Sequence, residues 1–323
     1  MRADMNSIIC LLSFGNPLEG AVSSITDSMS EFFDNLIQKI LKDMYDGMYV
    51  SCEKSFNGIF TTLNDMMGKS ANILRTSPQN YNSAAFSIVK NMSDNAFLPI
   101  AATFATVVFC WELVHLVQES NNMQTITPQK IILPLMKLCI CLTACSKAFE
   151  IIMAFFELGG KATASISGNI PTFGGEIEFS GLVPTTLASY SFQDVMTLIG
   201  YLLLINAVKI SLIAAAVLIY ARCIMWFMEI YVTASAAAIP YSTWINKEWS
   251  QMGMNYTRKM LALAFQGPFM LLLFAMYGNI VSTAFSEGGD FTSRLFMILG
   301  SAIVLTMLLF KTGTISESIF AAH

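Results

Sequence analysis

The chain has 323 residues, of which 54% are hydrophobic and only 12% charged. Soluble domains carry about a quarter charged residues, so this composition and a mean hydropathy of +0.58 exclude a soluble enzyme as the default and point to a chain whose solvent is largely hydrocarbon. The 18 Lys and Arg against 22 Asp and Glu give a net charge of −4 with the basic residues dispersed, which excludes the basic patch of a duplex-DNA reader.

At the N-terminus, the apolar run 8–14 is short, Asp4 precedes it and no small-x-small site follows, so it is not read as a cleaved signal peptide. Beyond it, Phe32/Phe33, Leu36/Ile37, Ile40/Leu41, Met44/Tyr45 and Met48/Tyr49 begin an apolar stripe that continues through Cys52, Phe56, Ile59/Phe60, Leu63 and Met66/Met67. Its mean repeat of about 3.8 residues is helical. Asp34, Lys39, Lys42, Asp43, Asp46, Glu53, Lys54 and Asp65 lie between. Residues 1–95 are therefore expected to form an amphipathic helical region that cannot span a bilayer and must cover something. It either lies on the membrane or on the protein's own spans, or serves as an oligomerisation or partner-docking helix. Ser77-Pro78-Gln79-Asn80 breaks the pattern, and a short second amphipathic stretch over 84–92 leads into the remainder.

Residues 96–323 read as a polytopic transmembrane domain. The first span is 97–117, long enough to cross about 30 Å of hydrocarbon, with Glu112 and His115 near its end. The second, 131–156, carries Pro134, Lys137, Lys147 and Glu150; Lys147 and Glu150 are spaced to pair along a helix. A Gly-rich loop is expected over 157–194, with a short strand pair near 176–183. Residues 195–240 contain no Pro before Pro240 and no turn residue between Ala207 and Ala221. They read as one helix of about 66 Å rather than two spans. Spans 260–285, kinked at Gly267-Pro268, and 295–310 complete a count of five, with six as the alternative.

Lys247, Arg258 and Lys259 against Glu248 place the connection 241–259 in the cytoplasm; Lys161 against Glu157, Glu176, Glu178 and Asp194 places 157–194 outside. The N-terminus is then outside and the C-terminus inside, with Trp111, Trp226, Trp244 and Trp249 all on the cytoplasmic half.

Little in the sequence points to catalysis, a metal or a cofactor. There are two His residues. Met67-Gly68-Lys69-Ser70 ends like a phosphate-binding loop, but the earlier glycine is replaced by Leu63. Cys139, Cys141 and Cys145, like Cys110 and Cys223, fall in apolar runs and read as free thiols rather than ligands. Asn91-Met92-Ser93 matches a glycosylation triplet expected to be unused. The informative groups are the intramembrane ionisable ones: Glu112, His115, Lys147, Glu150, Lys209, Arg222 and Glu229. An unpaired charge near the midplane, as at Lys209, costs at least about 2.5–3.5 kcal/mol. These residues either pair structurally between helices or line a polar conduit or subunit contact. Ala101/Ala105, 214–216 and 234–238 add small residues that permit close helix packing.

The run Tyr220-Ala221-Arg222-Cys223-Ile224-Met225-Trp226-Phe227-Met228-Glu229, continuing through Ala234-Ser235-Ala236-Ala237-Ala238-Ile239-Pro240, resembles the central helix and Ala-Pro terminus of TrbL/VirB-type polytopic channel subunits of type IV secretion and conjugation machines. The Trp-containing connection 244–259, the kink at Gln266-Gly267-Pro268 and the final span running into Ser316-Glu317-Ser318 follow in the same order. The resemblance covers about residues 95–323. It implies an all-α integral membrane protein of the bacterial cytoplasmic (inner) membrane. Such a subunit is non-enzymatic, present in several copies in contact with lipid, other machine subunits including ATPases, and transiently the translocated DNA or protein. The rival reading from the residues is an ion- or proton-coupled transporter using Lys209, Glu112 and His115, against which stands the absence of two symmetry-related halves; a pore-forming protein without a secretion role is a third.

Overall fold

The computed structural model describes residues 3–119, 128–166, 168, 179–286 and 289–322, and among them all regular structure is helical. In chain order the helices are α1 (Ala3–Arg75), α2 (Pro78–Tyr81), α3 (Ser83–Met92), α4 (Leu98–Glu119), α5 (Pro128–Ser146), α6 (Ala148–Ile166), α7 (Phe192–Ser235), α8 (Ala238–Tyr241), α9 (Ser250–Ser286) and α10 (Phe291–Ile319). A π-turn at Ser93–Phe97 joins α3 to α4, giving a continuous apolar helix over Ser83–Gln118. The break at Ser77–Pro78 falls where expected: α1 ends at Arg75, and the Asn82 side chain caps α3 by accepting from the Ala85 N–H at 3.0 Å.

Among the described residues, four helices are long and apolar enough to cross a membrane: Ser83–Gln118, Phe192–Ser235, Ser250–Val281 and Phe291–Ile319. A fifth crossing exists if the pair Ile132–Ser146 and Ala148–Ile166 counts as one. The expected second span is thus a bent pair, turned by 62° at Lys147. α7 is the single 44-residue helix that its lack of turn residues predicted.

The loop expected to begin at 157 is also corrected. Glu157, Gly159 and Gly160 lie inside α6, which runs to Ile166. Of the expected strand pair, residues 176–178 lie outside the described residues, and Phe179–Gly181 forms a 3-10 turn.

The chain divides into two compact units whose boundaries fall within α1 and α7. The first comprises Met1–Gly58 and Glu176–Val208. Its core is aromatic: Phe179 packs against Tyr49 at 5.0 Å and Phe56 at 5.6 Å, and Tyr45 against Tyr190 at 5.4 Å. Polar ties complete it. The Tyr45 hydroxyl donates to the Pro184 carbonyl (2.6 Å), and the Gln38 amide both donates to the Tyr190 carbonyl and accepts from its N–H (3.0 and 2.9 Å). Burial pushes the Cys52 thiol up to about 11.

The second unit comprises Ile59–Gly175 and Lys209–His323. Here Ile59, Leu63, Met67 and Leu74 of α1 are buried. Tyr81 stacks on Phe227 at 4.2 Å, and the Tyr231 hydroxyl donates to the Pro78 carbonyl (2.5 Å). α9 packs along both α6 and α10, and α4 pairs with α5. Ala101 and Ala105, read as a close-packing pair, are fully buried; α4 lies against α5, α8 and the turn Ser242–Ile245.

Candidate functional site: polar contacts among the apolar helices

Within the second unit, close approaches occur at Gly159, Gly253 and Gly267, and polar groups of the packed helices meet in two clusters. The first joins α4, α5 and the segment after α8. The Glu112 carboxylate accepts from Lys137 Nζ at 3.4 Å and from Asn246 Nδ2 at 2.8 Å. Asn246 Oδ1 in turn accepts the backbone N–H groups of Glu248 (2.8 Å) and Trp249 (3.2 Å), so one amide both holds the turn and docks it on the carboxylate. Below it, the Cys141 and Cys145 thiols donate to the carbonyls of Tyr241 (3.1 Å) and Ala238 (3.4 Å). Both sulfurs are buried, whereas Cys139 is exposed. The cysteines that share a helix face therefore donate to carbonyls of the first and last residues of α8. Among the described residues no three His, Cys, Asp or Glu side chains gather as a metal cluster would require.

The second cluster lies where α7, α9 and α10 meet. Arg222 is 6% exposed, yet no carboxylate lies within 4 Å of it among the described residues. Its guanidinium and the Gln266 amide converge over Gly313, where an added methyl would come 3.6 Å from Nη2 and 3.5 Å from Gln266 Nε2. Gln266 donates to the Thr312 hydroxyl (3.2 Å), and the Ser316 hydroxyl donates to the Ala262 carbonyl (2.5 Å). A buried charge costs several kcal/mol unless polar groups surround it; the Gln266 amide lies beside the same glycine as the guanidinium.

One turn along α7, the Trp226 indole N–H donates to the Leu263 carbonyl (2.9 Å), and its ring lies over Gly267, where a methyl would be only 2.7 Å away. Pro268 sits inside α9. It lacks an N–H and so leaves the Ala264 carbonyl without its helical donor. α6 meets α9 at that carbonyl through Gly159, where a methyl would come within 2.3 Å of the oxygen. A cleft of about 370 Å³ opens alongside. Its walls are apolar at Phe156, Trp226 and Pro268, and Arg75, Glu157 and Lys161 supply charges of both signs. Its lining includes no His or Cys.

The sequence-selected residues are thus distributed rather than converged. The His115 ring lies tilted against Trp111 (5.6 Å) on the same helix as Glu112. Lys147 and Glu150 form the expected pair (3.1 Å), but both are 59% exposed and sit at the bend between α5 and α6. Such a pair contributes little by itself. Glu229 lies two turns beyond Arg222 and makes no ion pair with it. Lys209 is half-buried in α7 with no ion pair among the described residues. Lys69, of the loop-like tetrapeptide, pairs with Asp65 on the exposed face of α1 (2.8 Å). Sequence reasoning missed Asn246, Gln266 and Thr312 as contact residues. The available signal was their position as uncharged hydrogen-bonding side chains beside or within apolar runs.

No curated protein and no solved structure matches the chain. A family model, TrbL/VirB6 plasmid conjugal transfer like protein, matches residues 63–238. That segment runs from the buried end of α1 through the bent pair and α7 to the start of α8, and contains Glu112, Cys141, Arg222 and Trp226. More than half of the chain lies within the match, and the apolar helices with their central 44-residue member fit it: the chain belongs to the TrbL/VirB6 family of plasmid conjugal transfer proteins.

Proposed function

We propose that this multi-pass protein is a channel or scaffold subunit of a type IV secretion or conjugative DNA-transfer apparatus in the bacterial inner membrane, carrying out no chemical step itself. The observation that carries this reading is the family match across residues 63–238. Several copies would stand in one membrane, in contact with lipid and with other subunits. Partner ATPases would supply the energy, and translocated DNA or protein would pass by transiently. The N-terminus lies outside and the C-terminus inside. The half-buried Lys209 and the polar clusters around Glu112 and Arg222 are the contacts through which helices, or neighbouring copies, are held in register; His115, Lys147, Glu150 and Glu229 are secondary candidates.

The test is deletion of the coding sequence in donor cells carrying the transfer system, with complementation by a tagged copy. Transfer frequency is expected to fall by several orders of magnitude and to return on complementation. The tagged protein, gently extracted from membranes, is expected to bring down other transfer subunits. Undiminished transfer in the deletion strain would sink the reading. Single cysteines in the segment 182–191, labelled with an impermeant reagent in intact spheroplasts, test the orientation: reaction supports it, and protection with reaction only after lysis reverses it.

A further inference from the structure

Arg222 is a buried cation without a partner. It is 6% exposed, and among the described residues its guanidinium makes neither an ion pair nor a hydrogen bond. A guanidinium stays charged at any pH a folded protein meets and presents its N–H donors in one rigid fork. Buried without an acceptor, such a group is strongly unfavourable, so the cluster it sits in is incomplete as it stands.

The cluster opens at Gly313 of α10, a part-exposed position. A methyl there would stand 3.5 Å from Gln266 Nε2 and 3.6 Å from Arg222 Nη2, in ordinary contact with both. The glycine thus leaves a gap in front of two nitrogen donors. The neighbouring hydroxyls are engaged elsewhere: Thr312 donates to the Leu309 carbonyl (2.7 Å) and Ser316 to the Ala262 carbonyl (2.5 Å). Gln266 gives one amide hydrogen to Thr312 (3.2 Å) and has a second. Donors without an acceptor are the complement of an oxyanion. We propose that Arg222 and Gln266, reached past Gly313, bind the phosphate of an anionic membrane phospholipid. The inference rests on the placement of this multi-pass chain in a membrane.

The level of the site along the helices identifies the source of the anion. α10 leaves its apolar run 295–310 at Lys311, which is exposed, so Gly313 stands just past the edge of the hydrocarbon, where lipid headgroups lie. α9 runs the opposite way, with Gln266 beside Thr312 and Ala262 beside Ser316. Its exposed Arg258 and Lys259 therefore lie on the same side, about 10 Å beyond Gln266. These cations at the headgroup level attract an anionic lipid. Phe310 and Ile315, exposed by 46% and 43%, flank Gly313 along α10 and offer apolar surface to acyl chains. A phosphodiester sets two oxygens into the fork of a guanidinium, and a free anion in water would make no use of the apolar flank.

Full-length protein, stripped of lipid in detergent, is titrated with dioleoylphosphatidylglycerol, with dioleoylglycerol, which has the same chains and no phosphate, and with inorganic phosphate. Bound lipid is counted by native mass spectrometry. Phosphatidylglycerol is expected to bind at least tenfold more tightly than dioleoylglycerol, and Arg222→Gln to abolish that difference. Gly313→Ala keeps the guanidinium and fills the gap, and is expected to weaken phosphatidylglycerol at least threefold. Arg222→Lys, which keeps the charge and loses the fork, is expected to weaken it as well, and decides the matter together with Gly313→Ala if Arg222→Gln does not fold. Lys69→Gln, on the exposed face of α1, is expected to change nothing. Equal binding of the two lipids, a loss in Lys69→Gln equal to that in the Arg222 variants, or unaltered binding in Gly313→Ala would overturn the site.

Three further outcomes would also overturn it. Full displacement of the lipid by an equal concentration of inorganic phosphate would assign a free anion. A second protein or second copy released only by the Arg222 variants would assign a partner's carboxylate. In lipid-free protein, Glu317→Gln, one turn along α10 from Gly313, is expected to leave the thermal midpoint unchanged; a fall matching that of the Arg222 variants would show an internal ion pair. Selective lipid binding by a chain whose deletion leaves transfer intact keeps the site and removes the conjugation reading. A chain required for transfer that binds both lipids equally does the reverse.

Discussion

Gly159 of α6 rests directly on the carbonyl of Ala264 in α9, with no room for a methyl group between them: an added Cβ would lie 2.3 Å from the oxygen. The opposing atom is backbone, in the middle of a helix, and cannot rotate away. Gly159→Ala is expected to force α6 from α9 and cost about 1–3 kcal/mol, as overpacking does. The neighbouring Gly160→Ala, with open space at its Cβ, should have no adverse effect. Thermal midpoints of the two variants in detergent distinguish them; equal midpoints would remove the close approach as the reason for the glycine.

The Trp226 ring occupies the space over Gly267, and its N–H holds the Leu263 carbonyl. Gly267→Ala should therefore destabilise through a ring that must shift. Trp226→Phe loses one buried hydrogen bond, worth about 1 kcal/mol, but yields space. The double variant is expected to be less destabilised than the sum of the singles, by more than about 0.5 kcal/mol. Additive losses in a chemical-denaturation cycle would contradict the contact.

Glu112 and Asn246 tie α4 to the turn that follows α8. Lys137 Nζ stands 3.4 Å from the carboxylate and the Asn246 amide 2.8 Å, so the shorter amide hydrogen bond carries more of the coupling. Glu112→Ala combined with Asn246→Ala is expected to show a coupling of about 1 kcal/mol. Glu112→Ala combined with Lys137→Ala should show less. A larger Lys137 coupling would reverse the ranking.

Cys52 is fully buried on α1 and its thiol faces the Leu198 carbonyl. Desolvation raises its pKa from the ordinary value of 9.0 to about 11. A raised thiol pKa means that the folded chain binds the proton more tightly than the unfolded one. The corresponding stability is fully present below about pH 9 and is progressively lost up to about pH 11. Cys52→Ser, whose hydroxyl does not ionise in this range, is expected to flatten the alkaline fall in stability, and the wild-type Cys52 thiol to resist alkylation at pH 8 until the protein is unfolded. Rapid labelling of Cys52 in the folded protein would contradict its burial.

The amphipathic character of α1 was legible in the sequence, but its use was not. A repeat of about 3.8 residues cannot remain on one side of a helix of 3.6 residues per turn; it rotates by about 20° per repeat. Tyr45, Tyr49, Cys52 and Phe56 are buried whereas Ile25, Met29, Phe33 and Ile40 are exposed among the described residues, a division that the apolar pattern alone does not encode. The pairing of Lys147 with Glu150 could be read from three-residue spacing. The partner of Glu112, by contrast, is Asn246, 134 positions away, and no local pattern encodes it.

What the sequence by itself determined is the solvent and the helices. Low charge and long apolar runs require segments that satisfy their own backbone in hydrocarbon, and the lack of breakers through residues 192–235 makes α7 one helix. The family pattern was readable for the same reason, since it consists of the order of those helices. Tertiary structure alone decided that the second apolar run bends by 62° at Lys147, that Gly159 and Gly160 belong to a helix, and that Arg222 and Gln266, from distant segments, both come to lie beside Gly313. Hydropathy depends on each residue's own transfer from water, whereas these features depend on which atoms from distant segments come within about 4 Å, and that is settled only when the helices pack.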